Sequence, residues 1–277
     1  MNVSSVVTKS LRTALFVPGD RGERIPKALA SGADGVIVDL EDAVAAGAKA
    51  KARQIIREFL DSTPDARILV RINAADTGDH AADLALACHP GVAAVLLPKA
   101  ETAEQVRHVH ATCGKTVWPI VETAIGVLAV PELVRAQGVE RLALGTLDLG
   151  LDLDLKPGSA GGEAMLDQAR FSLVLHSRLA QLPSPIDGVY PALADKAGLV
   201  EAAARSRAAG MGGMLCIHPS QVDSINAAFS PDPDEVDWAR RVVETARHSN
   251  GAFSLDGQMI DAPVVERATR ILQRTGS

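Results

Sequence analysis

The sequence predicts a (β/α)8 TIM barrel carrying a C-terminal helical lid extension. Three observations predict it. Eight short apolar runs are almost continuously hydrophobic, without polar alternation, as strands buried on both faces are. Ala-, Leu-, Arg- and Glu-rich stretches of helical period separate them. Most runs start at the spacing of a β-loop-α unit, and eight such units in series make a closed barrel. A doubly wound sheet is the alternative, but its Gly-rich G-x-G-x-x-G is missing after the first run.

In chain order the strands are Ala14–Val17, Gly35–Asp39, Ile68–Ile72, Ala93–Leu97, Val117–Val121, Arg141–Leu144, Ile186–Val189 and Gly213–Ile217. Helical stretches include Ala48–Leu60, Thr102–Ala111, Ala124–Ala136, Glu163–Ala180 and Leu199–Ala209. The longest gap holds Lys156–Gly162, a Pro/Gly/Ser-rich insertion. Past the eighth strand, Pro231, Pro233 and the acidic Asp232–Glu235 break the chain before an amphipathic helix, Glu235–His248. A turn-rich segment, Ser249–Gln258, and a short helix, Pro263–Gln273, follow. The barrel domain is therefore expected over 1–230 and the helical extension over 231–277. The extension's apolar Phe253, Leu255, Met259 and Ile260 need a surface to cover.

Charge and composition narrow the function. With 28 Lys+Arg against 34 Asp+Glu, the net charge is −6, which does not suit a nucleic-acid binder. Aromatic residues, at 3%, leave little for base stacking. No apolar run is long enough to span a membrane, and the polar Met1–Ser10 lacks the apolar middle of a signal peptide. Cys88, Cys113 and Cys216 are odd in number and form no Cys-x-x-Cys pair, as expected of a cytoplasmic protein without disulfides.

Barrel active sites form where the strands end. There the sequence places Asp39, Glu41 and Asp42, then Arg71, Lys99, Glu122, Asp148 and His218. Oxygen ligands without paired His or Cys favour a hard divalent cation, Mg2+ first and Mn2+ second. Arg71 suits a carboxylate, because its planar fork can hold two oxygens. Each residue also has a plainer reading. Glu122 or Asp148 alone can cap a helix, and Lys99 can be a loop cation. Asp152 and Asp154 read as a cap or solvated face, His218 as a packed imidazole at a helix start, and Met211 and Met214 as packing. The case rests on their joint placement.

Several segments resemble the citrate lyase beta subunit-like proteins of the HpcH/HpaI aldolase and malyl-CoA lyase superfamily. They are Leu11–Gly19 (LRTALFVPG), Val36–Ala43 (VIVDLEDA), Lys49–Arg53 (KAKAR), Val70–Asn73 (VRIN), Leu97–Lys99 (LPK), Val121–Thr123 (VET), Ile217–Gln221 (IHPSQ) and Met259–Pro263 (MIDAP). The resemblance implies Mg2+-dependent cleavage or formation of a carbon–carbon bond in an acyl-CoA thioester such as malyl-, citramalyl- or citryl-CoA. By the same resemblance, Glu122 and Asp148, 26 residues apart (148 − 122), are metal ligands. Glu41 and Asp42 hold metal-bound water. Arg71 grips the acid substrate, Arg12 faces the substrate or thioester, and Asp261 is an acid/base carried on the lid. A homotrimer is also implied. Leu147 stands where the family often has Glu, and Thr13 replaces a common Ser. Two other activities stay open: a Mg2+-dependent pyruvate-type aldolase without CoA, and a citrate lyase subunit acting on an acyl-carrier thioester.

Overall fold

The computed structural model describes residues 11–249 and 251–275. Met1–Ser10, read above as polar, lies outside them. Eight parallel strands close into a barrel in sequence order: β1 (Thr13–Pro18), β2 (Gly35–Asp39), β3 (Ile68–Arg71), β4 (Val92–Leu97), β5 (Thr116–Val121), β6 (Ala143–Leu144), β7 (Ile186–Asp187) and β8 (Gly213–Cys216). β8 pairs back onto β1, so the barrel itself has no open strand edge. Nearly every strand residue is buried, as helix-covered parallel strands require.

The helices between them are α1 (Ile25–Leu29), α2 (Lys49–Ser62), α3 (His80–Ala87), α4 (Ala103–Cys113), α5 (Ala124–Leu133), α6 (Thr146–Asp152), α7 (Ala160–Leu179) and α8 (Lys196–Ala208); α9 (Val222–Phe229) follows β8. Their starts are chemically marked. Thr102 and Gln105 close a capping box on α4, while Thr123 and Ser159 cap α5 and α7. On α2, Ala52, Ile56 and Leu60 recur at helical spacing and form its buried stripe. Truncating Ile56 to Ala would cost about 2–5 kcal/mol. The short α1, α3 and α6 carry too few turns to stand out in the sequence.

The chain divides into two compact units, Leu11–Asn226 and the part from Ala227 onward. The second holds α10 (Pro233–Arg247), a hairpin of β9 (Phe253–Leu255) and β10 (Gln258–Ile260), and α11 (Ala262–Thr275). Asp232 and Glu235 form a capping box that starts α10. Asp256 and Gly257 both have positive φ, 51° and 77°, as a type I′ hairpin turn demands. The turn-rich segment is therefore a hairpin. Ala239, Val242, Ile260, Ala268 and Ile271 form this unit's own core, with Phe253 and Leu255 packed against it. Of the four apolar residues expected to need a covering surface, only Met259 stays exposed, at 73%. Among the described residues, no helix is long and apolar enough to cross a membrane, and all three cysteines are free thiols.

Candidate active site

A cavity of about 340 Å³ opens at the C-terminal ends of the strands. Asp39, Asp42, Arg71, Glu122, Leu147 and Asp148 line it, with apolar Ile120, Leu144 and Leu215.

Asp39 ends β2 and Arg71 ends β3, as register partners. Arg71 Nε donates to Asp39 Oδ1 and Nη2 to Oδ2, both at 2.7 Å. The same carboxylate accepts from the backbone N–H groups of Glu41 and Ala43, each at 2.9 Å. Asp39 thus clamps Arg71 and shapes the loop carrying Glu41 and Asp42. The third guanidinium nitrogen, Nη1, lies 2.9 Å from Glu41 and 3.4 Å from Asp42, and Phe16 packs its ring 4.8 Å from the guanidinium carbon. Burial opposes the charge on Arg71, but the Asp39 hydrogen bond and the neighbouring carboxylates hold its pKa well above the usual value. The two-oxygen fork expected to meet substrate is already closed on Asp39.

Glu122 follows β5 and is buried. Its Oε1 accepts from Lys99 N–H at 2.8 Å. A Cβ placed on Gly145 would lie 2.3 Å from Glu122 Oε2, so only glycine leaves room for that carboxylate. Gly145 follows β6 and is the N-cap of α6, whose first turn carries Asp148. Burial pushes the Glu122 carboxyl up to about 8, with Lys99 N–H opposing and Glu41 and Asp148 adding to the rise. Glu41 is likewise pushed up to about 7, by burial against the pull of Arg71. Lys99 Nζ lies 3.6 Å from Glu41. Burial works against its charge too, yet Glu41, Glu122, Asp42 and Asp148 raise its pKa. Acid outweighs base here, so the site is short of positive charge.

The structure thus brings Glu41, Asp42, Arg71, Glu122 and Asp148 together. It does not bring Arg12 to them. Arg12 precedes β1 at the opposite mouth of the barrel, where Asp34 takes its Nε at 2.9 Å and Nη2 at 2.8 Å. A residue just ahead of a strand points its chain to the N-terminal end, away from the site. Asp261 lies in the other unit and caps α11, Oδ1 accepting from Val264 N–H at 3.3 Å. Asp152 caps the start of α5, and His218 caps the turn at Ser220. Met211 and Met214 are buried packing.

The other sequence motifs brace this rim. Asn73 donates to Leu40 O at 2.9 Å, just before Glu41, and bonds Lys49. Buried Asp83 accepts from Asn73 N–H and from Arg53, both at 2.8 Å. Gln221 accepts from Ile217 N–H at 2.9 Å and donates to Tyr190 O at 2.7 Å.

Residues 12–219 match the family described as HpcH/HpaI aldolase/citrate lyase. The chain belongs to that family. A citrate lyase subunit beta-like protein of Mycobacterium tuberculosis is 38% identical over 265 residues, covering 95% of this chain and 94% of the relative. A (3S)-malyl-CoA thioesterase of Cereibacter sphaeroides is 32% identical over 257 residues, covering 90% and 89%. A crystal structure of CitE from Mycobacterium tuberculosis, in complex with magnesium, acetoacetate and coenzyme A, superposes with a TM-score of 0.84 at 37% identity, covering 96% of this chain and 98% of that one.

Three contributions were not assigned from the sequence: the clamp by Asp39, the Lys99 N–H, and the space left by Gly145. Asp39 and Lys99 stood on the expected rim, but register and a backbone φ are not written in residue type. Gly145 carried no signal of its own.

Proposed function

We propose that the protein is a Mg2+-dependent carbon–carbon lyase that cleaves or forms a 3-hydroxyacyl-CoA-type thioester, such as malyl-, citramalyl- or citryl-CoA, in the cytoplasm. One observation carries the reading: Glu122 and Asp148, from successive strand ends, line one cavity in a chain with a relative named for malyl-CoA. The donor set fits Mg2+. It is oxygen-only, the carboxylates outnumber Arg71 and Lys99 so that burial still leaves Glu122 with a raised pKa, and Gly145 keeps Glu122 Oε2 uncrowded. CitE, at 37% identity, has been crystallised with magnesium, acetoacetate and coenzyme A, which supports the assignment.

Bound Mg2+ would supply Lewis acidity to the oxygens of the acid portion of the substrate. Glu122 and Asp148 would hold it, with Glu41 and Asp42 beside them to accept from its waters. Cleavage needs a base on the 3-hydroxyl, and Asp261 is our candidate. As the hydroxyl loses its proton the carbon–carbon bond breaks, its electron pair passes to the thioester as an enolate, and protonation gives acetyl-CoA. Arg71 contributes a fixed positive charge over the rim. Because Asp39 already orients it, no reorganisation is needed as negative charge develops.

The test is incubation with each of the three thioesters and Mg2+, with and without chelator. Acetyl-CoA should form with glyoxylate, pyruvate or oxaloacetate respectively, and chelation should stop it. The thioesterase relative favours a second reading, hydrolysis to free CoA and the hydroxy acid. Turnover of hydroxy-oxo acids alone, or of acyl-carrier thioesters alone, would replace the CoA assignment.

We also propose a homotrimer. The number three is what the resemblance implies; association itself is supported by an apolar face on α5, α6 and α7, where Ile125, Leu128, Leu147, Leu151, Phe171 and Leu179 are exposed, Leu128 at 83% and Leu151 at 81%. Such a face on a soluble chain marks an association surface. Sedimentation should give a trimer at micromolar concentration, and Phe171→Glu should shift it toward monomer.

A further inference from the structure

Lys99 departs from ordinary backbone geometry. Its φ is 46°, in the left-handed region where a side chain meets its own backbone. For residues other than glycine that conformation costs about 1–2 kcal/mol, and it persists only where surrounding contacts impose it. Two contacts do so here. Lys99 N–H donates to Glu122 Oε1 at 2.8 Å, and the next N–H, of Ala100, donates to Ile120 O at 3.2 Å. Two successive donors are thus turned toward the end of β5. The φ of Lys99 sets the angle between these two N–H groups, so with Ala100 N–H held on Ile120 O a right-handed or extended φ would turn the Lys99 N–H away from Glu122.

The consequence falls on Glu122. Its two oxygens are treated differently: Oε1 is tied to Lys99, whereas Oε2 lies against Gly145 on the side of α6 and Asp148. We propose that Lys99 is a positioning residue whose left-handed backbone, not its ammonium, holds Glu122 so that Oε2 is presented to the divalent cation. The inference rests on the reading of Glu122 as a metal ligand. It assigns the strained residue a task that its side chain does not share.

Backbone and ammonium can be separated by substitution. Lys99→Gly and Lys99→Asn remove the charge but adopt a left-handed φ readily. Lys99→Val also removes the charge, and its branched Cβ resists that φ. The measurement is Mg2+ binding by calorimetry on the purified full-length chain, with folding checked by circular dichroism. Wild type, Lys99→Gly and Lys99→Asn should bind Mg2+ within a few-fold of one another, and Lys99→Val roughly tenfold or more weakly, as expected on losing a hydrogen bond to a charged group. Should Lys99→Val not fold, Lys99→Thr, branched but polar, carries the same expectation. Unchanged Mg2+ affinity in the folded branched variant would overturn the proposal. So would a loss in Lys99→Gly as large as in the branched variant, because the ammonium would then be responsible. If wild type binds no Mg2+ at all, the metal reading itself falls and this inference with it; if wild type binds and the branched variant binds equally, only the inference falls.

Discussion

Asp39 and Arg71 sit side by side in register on β2 and β3, and their side chains close a double hydrogen bond of 2.7 and 2.7 Å. Asp39 is almost wholly buried and the Arg71 side chain is 12% exposed. Both residues line the cavity, and the clamp on Asp39 holds the Arg71 charge in a fixed position there.

Arg71→Lys should accordingly fail for a structural as well as an electrostatic reason. Lysine keeps the charge but cannot span both Asp39 oxygens. One Asp39 oxygen then keeps only its backbone N–H bond and loses its charged partner, a loss bounded by the about 3–5 kcal/mol of breaking a buried pair outright. Turnover efficiency should fall roughly 10²-fold or more, with a lowered melting temperature. Near-normal efficiency and stability would show that charge alone suffices.

Mg2+ binding should depend on pH. Glu122, pushed up to about 8 from 4.5, keeps its proton at neutral pH when no cation is present. A cation must displace that proton, so affinity should rise with pH to about 8 and then level off. Stability of the cation-free protein should move the other way. A carboxyl with a raised folded pKa binds more proton folded than unfolded, so its stabilising effect is full below about 4.5 and lost as pH rises through about 8. Calorimetric titrations and melting curves across pH 5–9 test both slopes, and Glu122→Ala should abolish the first.

Gly145→Ala should disable the site while adding one methyl group. The new Cβ would meet Glu122 Oε2 at 2.3 Å, far inside contact distance, so the carboxylate or β6 must shift. We expect Mg2+ affinity to fall by at least about tenfold with the barrel still folded. Wild-type affinity in this variant would mean that Glu122 can bind from another rotamer.

Asp261→Asn separates a cap from a base. The cap to Val264 N–H survives in asparagine, whose oxygen still accepts. An amide cannot take a proton, so a base would lose on the order of 10²-fold in turnover. Lost turnover with unchanged melting temperature and Mg2+ affinity supports the acid/base role; normal turnover ends it.

Residue type and order determined much of this protein. The eight strands were readable because strands buried on both faces must be apolar throughout, and the rim followed because each strand's end has a known place in a barrel. The hairpin at Asp256–Gly257 shows in the sequence only as a turn-rich segment, although Asp-Gly between apolar residues is a strong turn signal; strands of three residues are too short to show alternation. What only the tertiary structure decided lies between strands. Whether Arg71 faces substrate or Asp39 depends on register, which pairs residues 32 positions apart. Arg12 belongs to the far mouth because it precedes its strand instead of following it. The left-handed turn at Lys99 and the space beside Gly145 arise from neighbours brought together by barrel closure. Local pattern reports which face of an element is buried; which partner meets it there is settled by contacts distant in sequence.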